Sequence, residues 1–174
     1  MEQEQLTLYK LMILYLIEKV DFPLSNSQIS EFILDKGYTN YFTVQRAFHE
    51  LEEENMLRVK QIRNMSHYAL SDEAIEMFEY QIPNSIKEDI AQFLKEKEYE
   101  LRKEASVTAD FYPSKGDEYT VNLKIREKEN LLLEINLNVV SRDQAVYICD
   151  HWEKKHSDVY SMLIEKLLFD EPNK

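Results

Sequence analysis

The chain has 174 residues, is 44% hydrophobic and 31% charged, and carries a formal net charge of −12. This length and apolar content allow one or two folded domains and exclude a disordered chain. Its only glycines are Gly37 and Gly116, which excludes a glycine-rich phosphate-binding loop.

The first predicted element is a helix over Leu6–Lys19, because its apolar residues recur at helical spacing. Lys10 and Glu18 interrupt the apolar run, so it is too short and too charged to span a membrane. Acidic residues precede it where a secretory signal would carry Lys or Arg. The N-terminal segment therefore predicts a soluble, cytoplasmic protein.

A second helix is predicted to begin after Ser25, because Ser25 and Gln28 have the spacing of a capping box. Gly37 lies where a left-handed residue commonly ends a helix. The segment between Ser25 and Gly37 therefore predicts a short helix followed by a tight turn.

A third helix is predicted over about Tyr41–Glu54, with Thr39 or Asn40 as its N-cap. Asn55 is suited to end it in a left-handed conformation. Four apolar residues at positions i, i+3, i+4 and i+7 define the face that packs on the core: Val44, Ala47, Phe48 and Leu51.

A small β-hairpin is predicted next. Two short apolar segments, 57–62 and 67–70, are joined by the polar residues 63–66. The stretch 58–67 contains three cations and no acid. Ser71 precedes two acidic residues, which favour a helix N-terminus, so we predict that a fourth helix begins there.

The order helix, helix, tight turn, helix, hairpin, helix is typical of a winged helix-turn-helix domain. The segment from His67 to Phe78 resembles the end of the wing in regulators of the MarR and PadR type. The residues that match are Tyr68, Leu70, Ser71, Asp72 and Glu73. This resemblance covers roughly residues 5 to 80 and implies a DNA-binding regulator. The whole chain is similar to a bacterial family described only as a domain of unknown function, which implies a bacterial origin.

The second half of the chain predicts a different arrangement. A helix from Ser85 to about Glu104 follows Pro83, again with a capping-box pattern at its start. Three segments of alternating hydrophobicity come next, around residues 107–111, 119–125 and 131–139. They predict a three-stranded antiparallel meander with one buried face.

A long final helix is predicted from Ser141 to about Phe169, with an inner stripe of apolar residues. That stripe comprises Ile148, Trp152, Val159, Leu163 and Leu167. The predicted fold class is therefore α+β. We place the domain boundary at Ile82–Pro83, between a winged-helix domain over 1–82 and an α-β-β-β-α domain over 83–174 that serves dimerisation or effector binding.

A DNA-reading winged helix inserts the exposed face of its third helix into the major groove, while the wing meets phosphate or the minor groove. Gln45 would pair with adenine and Arg46 with guanine or phosphate. The residues predicted to contact DNA from the helix are Tyr41, Thr43, Gln45, Arg46 and His49. Those predicted to contact it from the wing are Lys60, Arg63, Asn64 and His67.

Acidity favours a second interpretation. Residues 1–70 hold seven Lys/Arg against ten Asp/Glu, a balance of −3, and residues 71–174 hold fourteen against twenty-three, a balance of −9. Glu50 and Glu52–Glu54 on the third helix would repel phosphate. The alternative function is therefore a non-enzymatic adaptor whose acidic winged helix docks a protein partner.

Catalysis is not expected. Cys149 is the single cysteine, and its neighbours on the final helix do not face it, so we predict a core residue rather than a nucleophile. His151 and His156 are five residues apart and do not suit a shared metal ion. No cofactor, metal or catalytic residue is predicted.

A regulator that reads two half-sites does so as a symmetric dimer. We therefore expect a homodimer on double-stranded DNA, with no membrane partner. The first helix, the Ser85–Glu104 helix and the final helix are the candidates for its interface.

Overall fold

The computed structural model describes residues 1–74, 81–128 and 130–169. It divides into two compact units, Met1–Ala105 and Ser106–Lys174. Within the described ranges, the chain forms five α-helices and two three-stranded antiparallel sheets. The predicted α+β class is confirmed.

The first unit begins with a helix, a very short strand and two further helices, followed by a hairpin and a fourth helix. These elements are α1 (Glu2–Glu18), β1 (Leu24–Ser25), α2 (Asn26–Asp35), α3 (Tyr41–Glu53), β2 (Leu57–Ile62), β3 (Met65–Leu70) and α4 (Asn84–Ser106). The sheet order is β1-β3-β2. Strand β1 was not predicted, because two residues are too few to give an alternating pattern.

Helix ends in this unit follow from local sequence. The Ser25 hydroxyl accepts from the amide of Gln28 at 3.1 Å, and the Gln28 side chain accepts from the Ser25 amide at 2.8 Å. Gly37 has a φ of +72° and Asn55 a φ of +56°. The predicted capping box and the two left-handed helix ends are therefore confirmed.

The core of the first unit surrounds α1, where the consecutive residues 12–17 are all buried. A helix buried on every side needs packing partners on every side. Helices α2 and α3 supply apolar residues to the same core, as do β3 and α4.

Helix α4 groups with this first unit, whereas the sequence prediction assigned it to the second domain. Ile86, Ile90, Leu94 and Leu101 are buried in the same cluster as α1. The division between compact units therefore falls after Ala105, and not at Ile82–Pro83. The helix also begins at Asn84, so Ser85 is not its cap; the amides at 86 and 87 bond to the Pro83 carbonyl instead.

The second unit is the predicted meander and long helix. Its elements are β4 (Val107–Pro113), β5 (Tyr119–Glu127), β6 (Asn130–Val139) and α5 (Arg142–Leu168). The strand order is β4-β5-β6. The Ser141 hydroxyl caps α5 by accepting from the Gln144 amide at 3.2 Å.

One face of the meander packs on the first half of α5. Val121, Leu123 and Ile125 of β5 form a buried cluster with Ala145, Cys149 and Trp152 of α5. The Trp152 indole N–H donates to the Lys124 carbonyl at 3.3 Å. The prediction that Cys149 is a core residue is confirmed, since it is 4% exposed.

The predicted inner stripe of α5 is wrong at its C-terminal end. Val159 and Tyr160 are the last α5 residues that pack against this cluster, and Leu167 is 79% exposed.

The helix predicted to begin after Ser71 falls mostly on residues 75–80, which lie outside the described ranges. The described part, Asp72–Ala74, is a turn in which the Ala74 amide donates to the Ser71 carbonyl at 3.2 Å. Of the helices that the structure describes, none has the length and hydropathy of a transmembrane segment.

Candidate nucleic-acid interface

Helix α3 is fixed with one face inward. Val44, Ala47, Phe48 and Leu51 are buried, which confirms the predicted core face. The Asn40 side chain accepts from the amide and hydroxyl of Thr43, at 3.0 and 3.2 Å. Thr43 is half-buried, and its hydroxyl already takes part in the helix cap.

Gln45 was predicted to face outward, but its side chain is directed toward α2. Its side-chain amide donates to Asn26 Oδ1 at 2.9 Å and to Ser30 Oγ at 3.3 Å, and its oxygen accepts from Asn26 Nδ2 at 3.0 Å. The start of α2 packs against α3 here and uses both ends of the amide. Gln45 thus links α2 to α3, and both of its side-chain N–H groups are engaged within the protein.

Arg46 and His49 do face outward, but each lies next to glutamates. Arg46 Nε is 3.3 Å from Glu50 Oε1, and its Nη1 is 3.6 Å from Glu2 Oε1. His49 Nε2 is 3.3 Å from Glu53 Oε1. The contacts of Arg46 with Glu2 and of His49 with Glu53 are on exposed surface, where such pairs are weak and readily exchanged, whereas Glu50 is half-buried and also contacts Lys10.

The exposed start of α3 is aromatic. Tyr41 is 55% and Phe42 82% exposed, and their rings meet edge to face with centroids 6.0 Å apart. Sequence reasoning missed Phe42. Its spacing was the available signal, because Phe42, Arg46 and His49 recur at i, i+4 and i+7 opposite the buried face.

The hairpin β2–β3 turns in two residues, not the four predicted. Ile62 pairs with Met65, and the turn residues Arg63 and Asn64 have φ values of +50° and +62°. Two consecutive positive φ values are characteristic of the type I′ turn that closes tight hairpins. The turn holds Arg63 and Asn64 exposed at the tip.

The strands of the hairpin have a core face and an outer face. Val59 pairs with Tyr68, which is 2% exposed, so these two side chains point to the core side. Lys60 pairs with His67 on the opposite side. Arg58 shares the outer face with Lys60, because residues two apart on a strand point the same way. Arg58 is a second residue that sequence reasoning did not select, although strand alternation indicated it.

Charge on the outer face comes from Arg58, Lys60 and the tip residue Arg63. Arg58 Nη2 contacts Asp72 Oδ1 at 2.7 Å on exposed surface. His67 is half-buried and its Nδ1–H donates to the Met65 carbonyl at 3.1 Å. Burial lowers the pKa of His67; the hydrogen bond to Met65 raises it, and the Lys60 ammonium lowers it further. His67 is therefore mostly neutral at pH 7.

A pH titration tests this description of His67. We expect NMR to give its imidazole a pKa below the ordinary 6.5. The unfolded chain then binds more protons than the folded chain, so the stability contributed by neutral His67 is present above pH 6.5 and falls as the pH drops through the folded pKa. The His67→Gln variant should lose less stability than the parent on acidification. A measured pKa at or above 6.5 would contradict the description.

A cavity of about 360 Å³ lies beside His67, between the start of α2 and the end of α4. Its charged lining residues are Glu31 and Glu104, with no Lys or Arg. Among the described residues, no group of three or more His, Cys, Asp and Glu side chains is arranged to hold a metal ion.

All nine predicted contact residues thus lie at exposed or half-buried positions of α3 and the hairpin, and Gln45 among them is hydrogen-bonded to α2. No curated protein and no solved structure matches the chain. A family model described as "Domain of unknown function (DUF4364)" matches residues 9–167. Since this match spans most of the sequence, the chain belongs to that family.

Proposed function

We propose that the protein is a non-enzymatic, DNA-binding transcriptional regulator that binds double-stranded DNA as a homodimer through a winged helix-turn-helix. In this proposal α2 and α3 are the helix-turn-helix and β2–β3 is the wing. The observation that carries it is the hairpin, where Arg58 and Lys60 share the outer face and Arg63 lies at the exposed tip.

Phosphate binding requires cations on the surface that faces the duplex. The stretch 58–67 holds three cations and no acid, and the tight turn presents Arg63 at the tip. Lys60 and Arg58 extend from one face of β2. The hairpin is thereby suited to contact the backbone of a duplex, which positions a protein without reading sequence.

Under this proposal the exposed stripe of α3, formed by Phe42, Arg46 and His49, would contact the bases. Phe42 is suited to contact a thymine methyl group, and Arg46 to contact guanine or phosphate after exchange from Glu50. Gln45 supports this stripe indirectly, since it fixes α3 against α2.

The wing cations are tested by the double variant Lys60→Ala/Arg63→Ala. We expect its affinity for mixed genomic DNA fragments to fall at least tenfold, and the slope of log K against log salt to shrink by about two, because each lost phosphate contact removes about 0.9. Fluorescence anisotropy across a salt series measures both quantities.

The matched control is Lys154→Ala/Lys155→Ala, which removes two exposed cations from α5. It changes the net charge equally but leaves the hairpin intact. Equal losses in the two double variants would mean that net charge alone matters, and the wing assignment would fail.

Phe42 also favours a second candidate function, docking of a protein. A phenylalanine that is 82% exposed on a helix that also carries Glu50 and Glu53 suits a partner with an apolar pocket and a basic rim. Under this alternative, the protein would not bind DNA even at low salt, and a Phe42→Ser variant would lose a protein partner that the parent retains.

A further inference from the structure

The last turns of α5 carry an apolar stripe that the sheet does not cover. Tyr160, Ile164, Leu167 and Leu168 recur at i, i+4, i+7 and i+8, so they lie on one side of the helix. Leu167, Leu168 and the following Phe169 are 79%, 70% and 67% exposed. By contrast, Ala145, Cys149 and Trp152 earlier in α5 are all buried.

Tyr160 still packs against the core of the unit, and the rest of the stripe lies beyond it. From Tyr160 the helix continues to Leu168, which adds about 12 Å at about 1.5 Å per residue. Exposed apolar surface of this extent on a helix indicates a binding surface.

The charge of the segment that carries the stripe indicates which partner covers it. The ten residues Tyr160–Phe169 contain one acid, Glu165, and one base, Lys166, and so carry no net charge in a chain whose formal charge is −12. Two copies of so acidic a chain repel each other. A neutral segment is the place where they meet with the least repulsion.

We infer that α5 is the self-association surface, and that the stripe pairs with the same stripe of a second copy around a two-fold axis. Such a contact is isologous, because each copy supplies the same residues. The stripe and Phe169 supply five apolar side chains, which at on the order of 100 Å² each amount to roughly 500 Å² per copy, below the roughly 800 Å² of a standard interface. The dimer should therefore be reversible, with a dissociation constant on the order of micromolar.

The inference rests on the proposed function, in which a dimer presents two wings to DNA. The inferred contact and the proposed function can nevertheless fail separately. A dimer that binds no DNA would refute only the proposed function. DNA binding by a dimer that Leu167→Asp leaves intact would refute only the inference.

Sedimentation equilibrium on the full chain tests it, with Leu167→Asp as the variant and Tyr99→Asp as the control. Leu167 and Tyr99 are 79% and 80% exposed, and both lie on helices. We expect the parent and the control to dimerise alike, and Leu167→Asp to raise the dissociation constant at least tenfold. A parent that remains monomeric at about a hundred times the expected micromolar constant overturns the inference, as does a Leu167→Asp variant that dimerises like the parent.

A second variant avoids the question of altered folding. Ile164→Cys places a thiol within the stripe, while the native Cys149 is 4% exposed. Mild oxidation should link Ile164→Cys into a covalent dimer, seen on a non-reducing gel, much faster than it links Tyr99→Cys. Equal rates would contradict the inferred contact.

Discussion

The Phe48→Ala variant should lose about 3–5 kcal/mol of unfolding free energy, because truncating a buried phenylalanine removes its transfer free energy and leaves a cavity. Phe48 is 2% exposed, and its ring stacks on Tyr68 with centroids 4.7 Å apart. This contact joins α3 to β3 and so fixes the helix relative to the hairpin. Chemical denaturation followed by circular dichroism measures the loss.

The Phe42→Ala variant is the matched control, since the same side chain is removed from the same helix at a position that is 82% exposed. It should stay within about 0.5 kcal/mol of the parent. If Phe42→Ala is as destabilising as Phe48→Ala, the assignment of the inner and outer faces of α3 is wrong.

Removing the acids beside Arg46 and His49 should strengthen DNA binding. We expect Glu50→Gln/Glu53→Gln to raise the affinity about tenfold to a hundredfold, because two charges that repel phosphate disappear and Arg46 loses its partner on α3. Stability should fall only slightly, since Lys10, 15% exposed, loses its 3.4 Å contact with Glu50 but keeps Glu54 at 2.6 Å.

The control for that variant is Glu96→Gln/Glu100→Gln, which removes two exposed acids from α4. Anisotropy titrations at one salt concentration compare the two double variants. A gain confined to Glu50→Gln/Glu53→Gln supports α3 as the DNA-facing helix. The same gain in both variants would mean that only the net charge of the protein changed.

Features set by residues three or four apart were predictable from the sequence. The caps at Ser25 and Ser141 were both found, because a hydroxyl and an amide three residues on form them locally. The buried face of α3 and the order of the meander were predicted for the same reason, since periodicity records which side of an element is covered.

Features that depend on distant partners were not predictable. Gln45 looks like an outward polar residue until Asn26, nineteen positions earlier, packs against it. Strand β1 exists only because Leu24 and Ser25 pair with β3. The apolar periodicity of α5 continues past Tyr160, so the sequence did not show that packing against the core ends there. Of the candidate site, the hairpin cations and the glutamates of α3 were both predicted from the sequence, whereas the pairing of Glu50 with Arg46 and of Glu53 with His49 was not.

Binding of the purified protein to a pool of bacterial genomic fragments, followed across a salt series, tests the central claim most directly. The account predicts measurable affinity at low salt that falls linearly in log K against log salt, with a slope of roughly −3 per subunit for the three hairpin cations. Enrichment of particular fragments would identify its sites. Absence of binding at the lowest salt would contradict the claim and favour a protein partner for α3.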